Sequence, residues 1–235
     1  VDGSGVYIKL HYPGVIGRLN RKLGFQELIS GIEITSILEE AHHNNKLPAY
    51  FGYMPESYGR LFRDGQNEIG YIIRELPETI KDYYLVPGFS LFSYDRNVPD
   101  APQLLKQILE RSNSPIEFFF EDICFKLIDI FFWCAFEEGL IPEMHSQNVV
   151  FAFNKEWEVE KIVLRDFESI DKDISIRRKL GKHTDFEEYP YKCISSDDKN
   201  YLKRHSFMYD HKLGEYLLDP LIGCAAPLLH INTID

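Results

Sequence analysis

The sequence predicts an α+β fold in which helices pack against an antiparallel sheet, and three patterns support this prediction. Apolar residues in 25–42 recur at nearly helical spacing. Residues 116–138 form a long apolar run with its charges on one polar stripe, and Gly139 follows where helices commonly end. Residues 148–153 and 159–167 are two apolar runs around 154–157, which predicts a β-hairpin.

The other elements before residue 100 are shorter. Residues 6–10 predict a strand that a turn at 12–14 ends. Residues 69–74 form a compact β-branched run before Pro77, which is typical of a buried strand. Residues 84–92 form a further apolar run that Pro87 and Gly88 interrupt.

After residue 100 the pattern favours helices. Residues 101–111 predict a helix with Asp100 as its N-cap and Pro102 in its first turn. Beyond residue 170 the signal is weaker, and 215–218 and 221–231 favour short helices. The sequence contains no internal repeat and no low-complexity segment.

Composition excludes several functions. The 235 residues suffice for a sizeable core, and the net charge of -11 argues against binding to nucleic acid or to an anionic membrane surface. The apolar stretch 116–136 carries five charged residues, which a membrane span would not. The four cysteines lack C-x-x-C spacing, and no signal peptide is present, so we expect reduced thiols in a cytoplasmic protein. Because the chain starts without Met, we also expect a fragment of a longer protein or a processed product.

The most informative segment lies on either side of the predicted hairpin. Glu143, His145 and Asn148 precede it, and Asp166 follows it, so the returning chain should bring Asp166 near Asn148. A carboxylate and an amide oxygen are suitable ligands for Mg²⁺ on a nucleotide, because this ion takes few protein ligands and keeps phosphate oxygens and water. A solvated loop with a capping Asp is the alternative.

Basic residues mark a second candidate region. Lys9 lies mid-strand between apolar residues and needs a partner, either a nucleotide phosphate or a carboxylate. Arg18, Arg21 and Lys22 follow and suggest a local anion site, with a solvated face as the alternative. Arg74 and its neighbour Glu75 suggest either a functional clamp or a structural ion pair.

The order of these motifs resembles one family, the siderophore synthetases that work without nonribosomal peptide synthetases, of the aerobactin synthetase type. The resemblance covers residues 5 to about 170. Its most specific parts are Glu-x-His-x-Gln-Asn at 143–148 and Arg-Asp-Phe-Glu at 165–168. The supporting motifs are Lys9-Leu10, Arg21, Ser-Gly-Ile-Glu at 30–33, Arg-Glu-x-Pro at 74–77 and Leu-Val-Pro-Gly-Phe-Ser-Leu-Phe at 85–92.

The resemblance implies an enzyme that uses ATP and Mg²⁺ to adenylate a carboxylic acid such as citrate. An amine or hydroxylamine, for example on a polyamine, then attacks to give an amide in siderophore biosynthesis for iron acquisition. The family fold is hand-shaped, with fingers, thumb and palm. The resemblance assigns 1–95 to the thumb–palm junction and 96–235 to the palm, and a homodimer is a possible assembly.

The resemblance also implies roles for individual residues. Lys9 and Arg21 match phosphate-contacting positions, and His145, Asn148 and Asp166 match the nucleotide site. Asn148, Asp166 and Glu143 are the implied metal ligands, and His145 and Arg21 are the implied catalytic residues.

The sequence departs from the family in two ways. A hydroxyl that would contact phosphate near Gly17 is absent, and family members are more than twice as long, with further ATP-binding loops in the missing half. This fragment alone is therefore expected to be impaired.

Two other functions stay open at this point. A kinase-like small-molecule phosphotransferase would share the His-x-x-Asn, hairpin and Asp-Phe order, although the kinase base Asp is missing before Asn148. A non-catalytic binding domain would retain the site without the other half.

Overall fold

The computed structural model of the protein describes residues 5–12, 14–16, 19–20, 23–65, 67–98, 100–186 and 192–231. Its strands are β1 (Val6–Leu10), β2 (Val15–Ile16), β3 (Leu19–Asn20), β4 (Phe51–Tyr53), β5 (Tyr58–Asp64), β6 (Asn67–Glu75), β7 (Tyr84–Pro87), β8 (Leu140–Ile141), β9 (Val149–Phe153), β10 (Val159–Leu164), β11 (Asp171–Asp173) and β12 (Cys193–Ile194). Its α-helices are α1 (Phe25–His43), α2 (Gly88–Phe92), α3 (Leu104–Arg111), α4 (Pro115–Glu117), α5 (Lys126–Trp133), α6 (Ile174–Lys179), α7 (Tyr201–Ser206) and α8 (Asp219–Leu229).

The central sheet has the strand order β4-β10-β9-β7. β9 pairs antiparallel with β10 and with β7, while β4 joins β10 in parallel. Every residue of β9 is buried, because both faces of the strand are covered. Val149, Phe151 and Phe153 belong to the main core with side chains of α1, α5 and α8, whereas Val150 and Ala152 belong to a smaller cluster that includes Ile80. The predicted α+β class, with an antiparallel sheet packed by helices, is confirmed, and β4 adds one parallel pair. The predicted hairpin is confirmed too, although its second strand ends at Leu164.

A second sheet, in the order β1-β6-β5, is antiparallel throughout. α1 contacts β5 and β6 on one face, where Leu23, Leu28 and Ile72 are buried. The other face leaves Ile8 59% and Ile69 56% exposed. The strand predicted over 69–74 is confirmed within β6, but the prediction that it is buried holds for one face only, because a helix covers one side of this sheet.

The long helix predicted over 116–138 is confirmed, and its irregularity is a finding. α4 and α5 alternate with π-helical segments at Phe118–Phe125 and Cys134–Glu138, and the residues at each junction keep helical backbone angles. Gly139 ends the helix with φ 64°, a left-handed angle that glycine adopts at little cost.

Two helix boundaries were predicted wrongly. α3 begins at Leu104 rather than 101, because Gln103 has an extended backbone and Ala101 precedes a proline, which disfavours helical angles. The two short helices predicted near the C-terminus belong to one longer run: α7, a π-helical segment at Phe207–Leu218 and α8 follow one another directly. A π-helical segment breaks the 3.6-residue period from which helices are recognised.

Two further observations concern the chain as a whole. Within the described ranges no helix has the length and apolar character that crossing a bilayer requires. All four cysteines are free thiols. The division between residues 95 and 96 stays a prediction.

Candidate functional site

The hairpin β9–β10 brings the two halves of the predicted motif together. The Arg165 backbone N–H donates to the carbonyl of Asn148 at 3.1 Å, and Arg165 Nε donates to the carbonyl of Gln147 at 2.9 Å. Asp166 follows with φ 73°, a left-handed backbone that costs a residue with a Cβ ~1 kcal/mol. The backbone of Arg165, the residue before Asp166, thus meets Asn148, as the hairpin predicts, and the roles of Asp166 and Asn148 stay predictions.

Lys9 on β1 contacts two carboxylates. Its ammonium group forms an ion pair with Asp166 and lies 2.6 Å from Glu168 Oε2. The sequence left open whether Lys9 binds a nucleotide phosphate or a carboxylate, and in the structure Lys9 binds two carboxylates. The side chains of Lys9, Asp166 and Glu168 are each about a quarter exposed, so the group borders solvent.

Arg74 on β6 completes this cluster. Its Nη2 donates to Asp166 Oδ1 at 2.6 Å, and its Nε donates to Glu56 Oε1 at 2.5 Å. Arg74 is therefore a clamp on Asp166, and its ionic partners are Glu56 and Asp166 rather than the neighbouring Glu75. We call Lys9, Arg74, Glu56, Asp166 and Glu168 the charge cluster.

The electrostatics of the charge cluster set Asp166 apart. Burial by itself raises the pKa of Asp166, but Lys9 and Arg74 outweigh that effect and lower it to about 2. Burial raises the pKa of Glu56 and of Glu168, against the opposing charges of Arg74 and Lys9 respectively. Asp166 is thus ionised at neutral pH, and three carboxyl groups face two cations.

His145 and Glu143 lie beside the charge cluster. Glu143 Oε1 is 2.6 Å from Lys212 Nζ, and its Oε2 is 3.9 Å from His145 Nε2. Burial lowers the pKa of His145, although Glu143 and Asp166 oppose this effect. The charge of Asp166 therefore acts on His145, which places both in one electrostatic environment.

Asn148 is buried and oriented by its own loop. Its Nδ2 donates to the backbone carbonyl of Glu143 at 3.1 Å, which fixes the amide and leaves Oδ1 as the atom with ligand character. Arg21, Arg18 and Lys22 lie outside the described residues, and so does Gly17. The predicted roles of all these residues stay predictions.

Sequence reasoning missed Glu56 and gave Glu168 no role. Glu56 follows Met54-Pro55 in the segment between β4 and β5, and nothing in that segment marks it as part of a site. Glu168 belongs to the Arg-Asp-Phe-Glu motif, so the motif itself could have indicated Glu168 as a site residue, but not Glu56.

A cavity of about 460 Å³ adjoins Glu143. Its lining includes three cationic side chains, Lys192, Lys203 and Arg204, together with Asp171. Arg204 Nη2 lies 2.5 Å from the buried Asp171 carboxylate, which fixes the guanidinium at the wall. In a protein with a net charge of -11, this cationic wall is a local exception.

Comparison with solved structures identifies the fold. The petrobactin biosynthesis protein AsbB from Bacillus anthracis is 17% identical and superposes with a TM-score of 0.76, over 97% of this chain and 40% of its own. ATP-bound aerobactin synthetase IucA from Klebsiella pneumoniae is 14% identical with a TM-score of 0.76, over 97% of this chain and 42% of its own. This chain has the fold of the siderophore synthetases.

Aerobactin synthetase IucC from Klebsiella pneumoniae shares the siderophore-synthetase fold, with 15% identity and a TM-score of 0.70 over 95% of this chain and 40% of its own. The resemblance drawn from the motifs is thereby confirmed at the level of the fold. The chain spans about two fifths of the length of these structures.

Sequence comparisons add one partial match. The profile of a family described as ferric iron reductase FhuF-like transporter matches residues 117–214, less than half of the chain. The comparison with curated proteins gave no match.

Proposed function

We propose that the protein acts in an ATP-dependent siderophore synthetase, which adenylates a carboxylic acid such as citrate and joins it to an amine or hydroxylamine. The observation that carries this proposal is the position of Asp166. An ionised carboxylate stands at the end of the hairpin, two cations bind it, and Asn148 lies at the adjacent strand end. The ATP bound to the structurally similar IucA supports a nucleotide at this fold.

The charge cluster is compatible with Mg²⁺. Lys9 and Arg74 both bind Oδ1 of Asp166, so among the described residues Oδ2 has no hydrogen-bond partner. The described residues contain no group of three or more His, Cys, Asp or Glu side chains placed for a metal. Mg²⁺ on a nucleotide needs only one or two protein oxygens, which Asp166 and Asn148 would provide, with Glu143 nearby. When bound, Mg²⁺ would neutralise the charge on the phosphates.

Lys9 supplies a positive charge at the border of the cluster. Attack of a carboxylate on the α-phosphorus brings two anions together, so cations that face both reactants lower the barrier. The Lys9 side chain is 24% exposed, against 12% for Arg74, so Lys9 would contact a phosphate while remaining near Asp166. Arg21 would provide the second phosphate contact.

His145 is suited to proton transfer. Because burial lowers its pKa, the imidazole is neutral at physiological pH and is able to accept a proton. Its Nδ1 accepts a hydrogen bond from the Gln147 backbone N–H at 3.2 Å, so Nε2 is the ring atom directed toward other partners. In the neutral ring the proton is then on Nε2, so His145 would donate a hydrogen bond from Nε2 to a phosphate. It would take the proton of the incoming amine only through Nδ1, after giving up the hydrogen bond from Gln147.

The cavity beside Glu143 would receive the carboxylic acid. Lys203 is exposed at its wall and Arg204 is fixed by Asp171, so the wall combines one adaptable and one oriented cation. A polycarboxylate such as citrate matches this arrangement. The four free thiols support action in the reducing cytoplasm. The amine substrate and the homodimer stay predictions.

The test is hydroxamate trapping of the acyl-adenylate by the full-length protein with a panel of carboxylic acids. The proposal expects acid-dependent hydroxamate together with AMP and pyrophosphate, and a strong preference for polycarboxylates. Release of ADP and transfer of phosphate to a small molecule would instead identify a phosphotransferase. Tight ATP binding without either product would identify a binding domain.

A further inference from the structure

Glu56 carries an anionic side chain in a place where a charge is costly. Its side chain is 0% exposed, and its backbone N–H donates to Thr35 Oγ1 of α1 at 2.8 Å. Oε1 accepts from Arg74, whereas Oε2 is buried and has no hydrogen-bond partner among the described residues. Buried ion pairs are inefficient stabilisers, because removing both charges from water costs about as much as their attraction returns. Stability alone is therefore a poor explanation for Glu56.

Helix α1 is shaped to accommodate this carboxylate. A Cβ at Gly31 would lie 2.5 Å from Glu56 Oε2, so any larger residue at position 31 would displace the carboxylate. Gly31 lies inside a helix of 19 residues, where glycine costs about 1 kcal/mol relative to alanine. A destabilising residue at this position has a physical reason if Glu56 has to stay where it is.

Arg74 transmits the position of Glu56 to Asp166. The guanidinium is a rigid planar fork, so fixing Nε on Glu56 also fixes the direction of Nη2, which binds Asp166. The Arg74 side chain is only 12% exposed, and its two carboxylate partners occupy two neighbouring donors, Glu56 at Nε and Asp166 at Nη2. Without Glu56, Arg74 would be free to bind Asp166 through both Nε and Nη2 and cover the second oxygen.

We propose that Glu56 is a positioning residue, which holds Arg74 so that Asp166 keeps Oδ2 open toward a metal-bound nucleotide. The role of the open oxygen rests on the proposed function. The coupling of Glu56 to Asp166 through Arg74 does not. The positioning role explains the buried carboxylate, the glycine in α1 and the one-sided binding of Asp166 by a single physical arrangement.

The experiment uses Glu56→Gln, which keeps the shape and removes the charge. The affinity of Mg²⁺·ATP and of ATP in EDTA is measured by calorimetry for the wild type, for Glu56→Gln and for the control Glu78→Gln. Glu78 is an exposed partner of Lys81, and none of its described ion pairs or hydrogen bonds reaches the charge cluster. We expect Glu56→Gln to weaken Mg²⁺·ATP binding by about tenfold, with less than a twofold change for metal-free ATP. A merely structural defect would lower both affinities or neither, and that result would overturn the proposal.

A second measurement decides the coupling without any nucleotide. Unfolding equilibrium constants are measured for Glu56→Gln, Asp166→Asn and the double variant. If Arg74 links the two carboxylates, the change in the unfolding equilibrium constant of the double variant should differ at least fivefold from the product of the two single changes. The two side chains make no direct hydrogen bond among the described contacts. Independent effects would overturn the positioning role. Intact coupling with no nucleotide binding by the full-length wild-type protein would refute the proposed function and leave Glu56 as the residue that positions Asp166 through Arg74.

Discussion

Lys9 and Asp166 form an ion pair although 157 positions separate them in the sequence. β1 and the end of β10 belong to different sheets, so this contact joins the two sheets at one point. Arg74, from the strand next to β1, binds the same oxygen of Asp166. The candidate site therefore depends on the relative placement of the two sheets, and it should respond to changes that do not touch a ligand.

The first prediction concerns acid stability. The folded pKa of Asp166 is about 2, below its ordinary value of about 3.9, so the ion pairs stabilise the folded state above pH 4. This contribution of about 2 kcal/mol should disappear as the pH falls from about 4 to 2. Urea unfolding of the wild type and Asp166→Asn at several pH values measures it. A constant difference in unfolding free energy between the two proteins over this range would contradict the assignment.

The second prediction tests the end of the long helix. Gly139 has φ 64°, and a Cβ there would collide with the Arg177 side chain and lie 3.2 Å from the Asp173 carbonyl. Gly139→Ala should cost about 3 kcal/mol of unfolding free energy, from the left-handed angle and the collision together. Gly181→Ala is the matched control, because Gly181 has φ 67° with no atom within 4 Å of the added Cβ. It should cost only about 1 kcal/mol, and equal costs would show that the close approach is absent.

The third prediction concerns the cavity beside Glu143. Lys203→Gln removes one cation from its wall and should raise the KM for the carboxylic acid about fivefold, equivalent to ~1 kcal/mol. The KM for ATP should stay unchanged. Lys179→Gln, at an exposed position on α6, is the control and should alter neither constant. A rise in the KM for ATP alone would contradict the proposal that this cavity binds the carboxylic acid.

The sequence predicted the parts of the fold that depend on local pattern. The 25–42 helix, the long helix ending at Gly139 and the hairpin around 154–157 each have a periodicity or a turn signal that acts over a few residues. The π-helical segments and the start of α3 were missed, because the first disturbs the period and the second depends on the backbone around Pro102.

The residues of the candidate site also divide into those that local sequence brings together and those that only tertiary packing brings together. Asn148 and Asp166 could be placed together because one hairpin connects them. Lys9 could be marked as needing a partner, but its contact with Asp166 depends on the packing of two sheets. Glu56 has no sequence signal, since its burial results from α1 and β6 together, and a lone Glu in a connecting segment usually faces solvent.

The most direct test of the central claim is carboxylate-dependent pyrophosphate release by the full-length Asp166→Asn variant, compared with the full-length wild type over a range of Mg²⁺ concentrations. Asparagine keeps the shape and removes the negative charge, so we predict a loss of about 10²-fold that added Mg²⁺ partly restores. Melting temperatures of the same samples correct for the fraction that is folded. Near-wild-type release by Asp166→Asn with a lowered melting temperature would show that Asp166 only supports the structure, and would contradict the account.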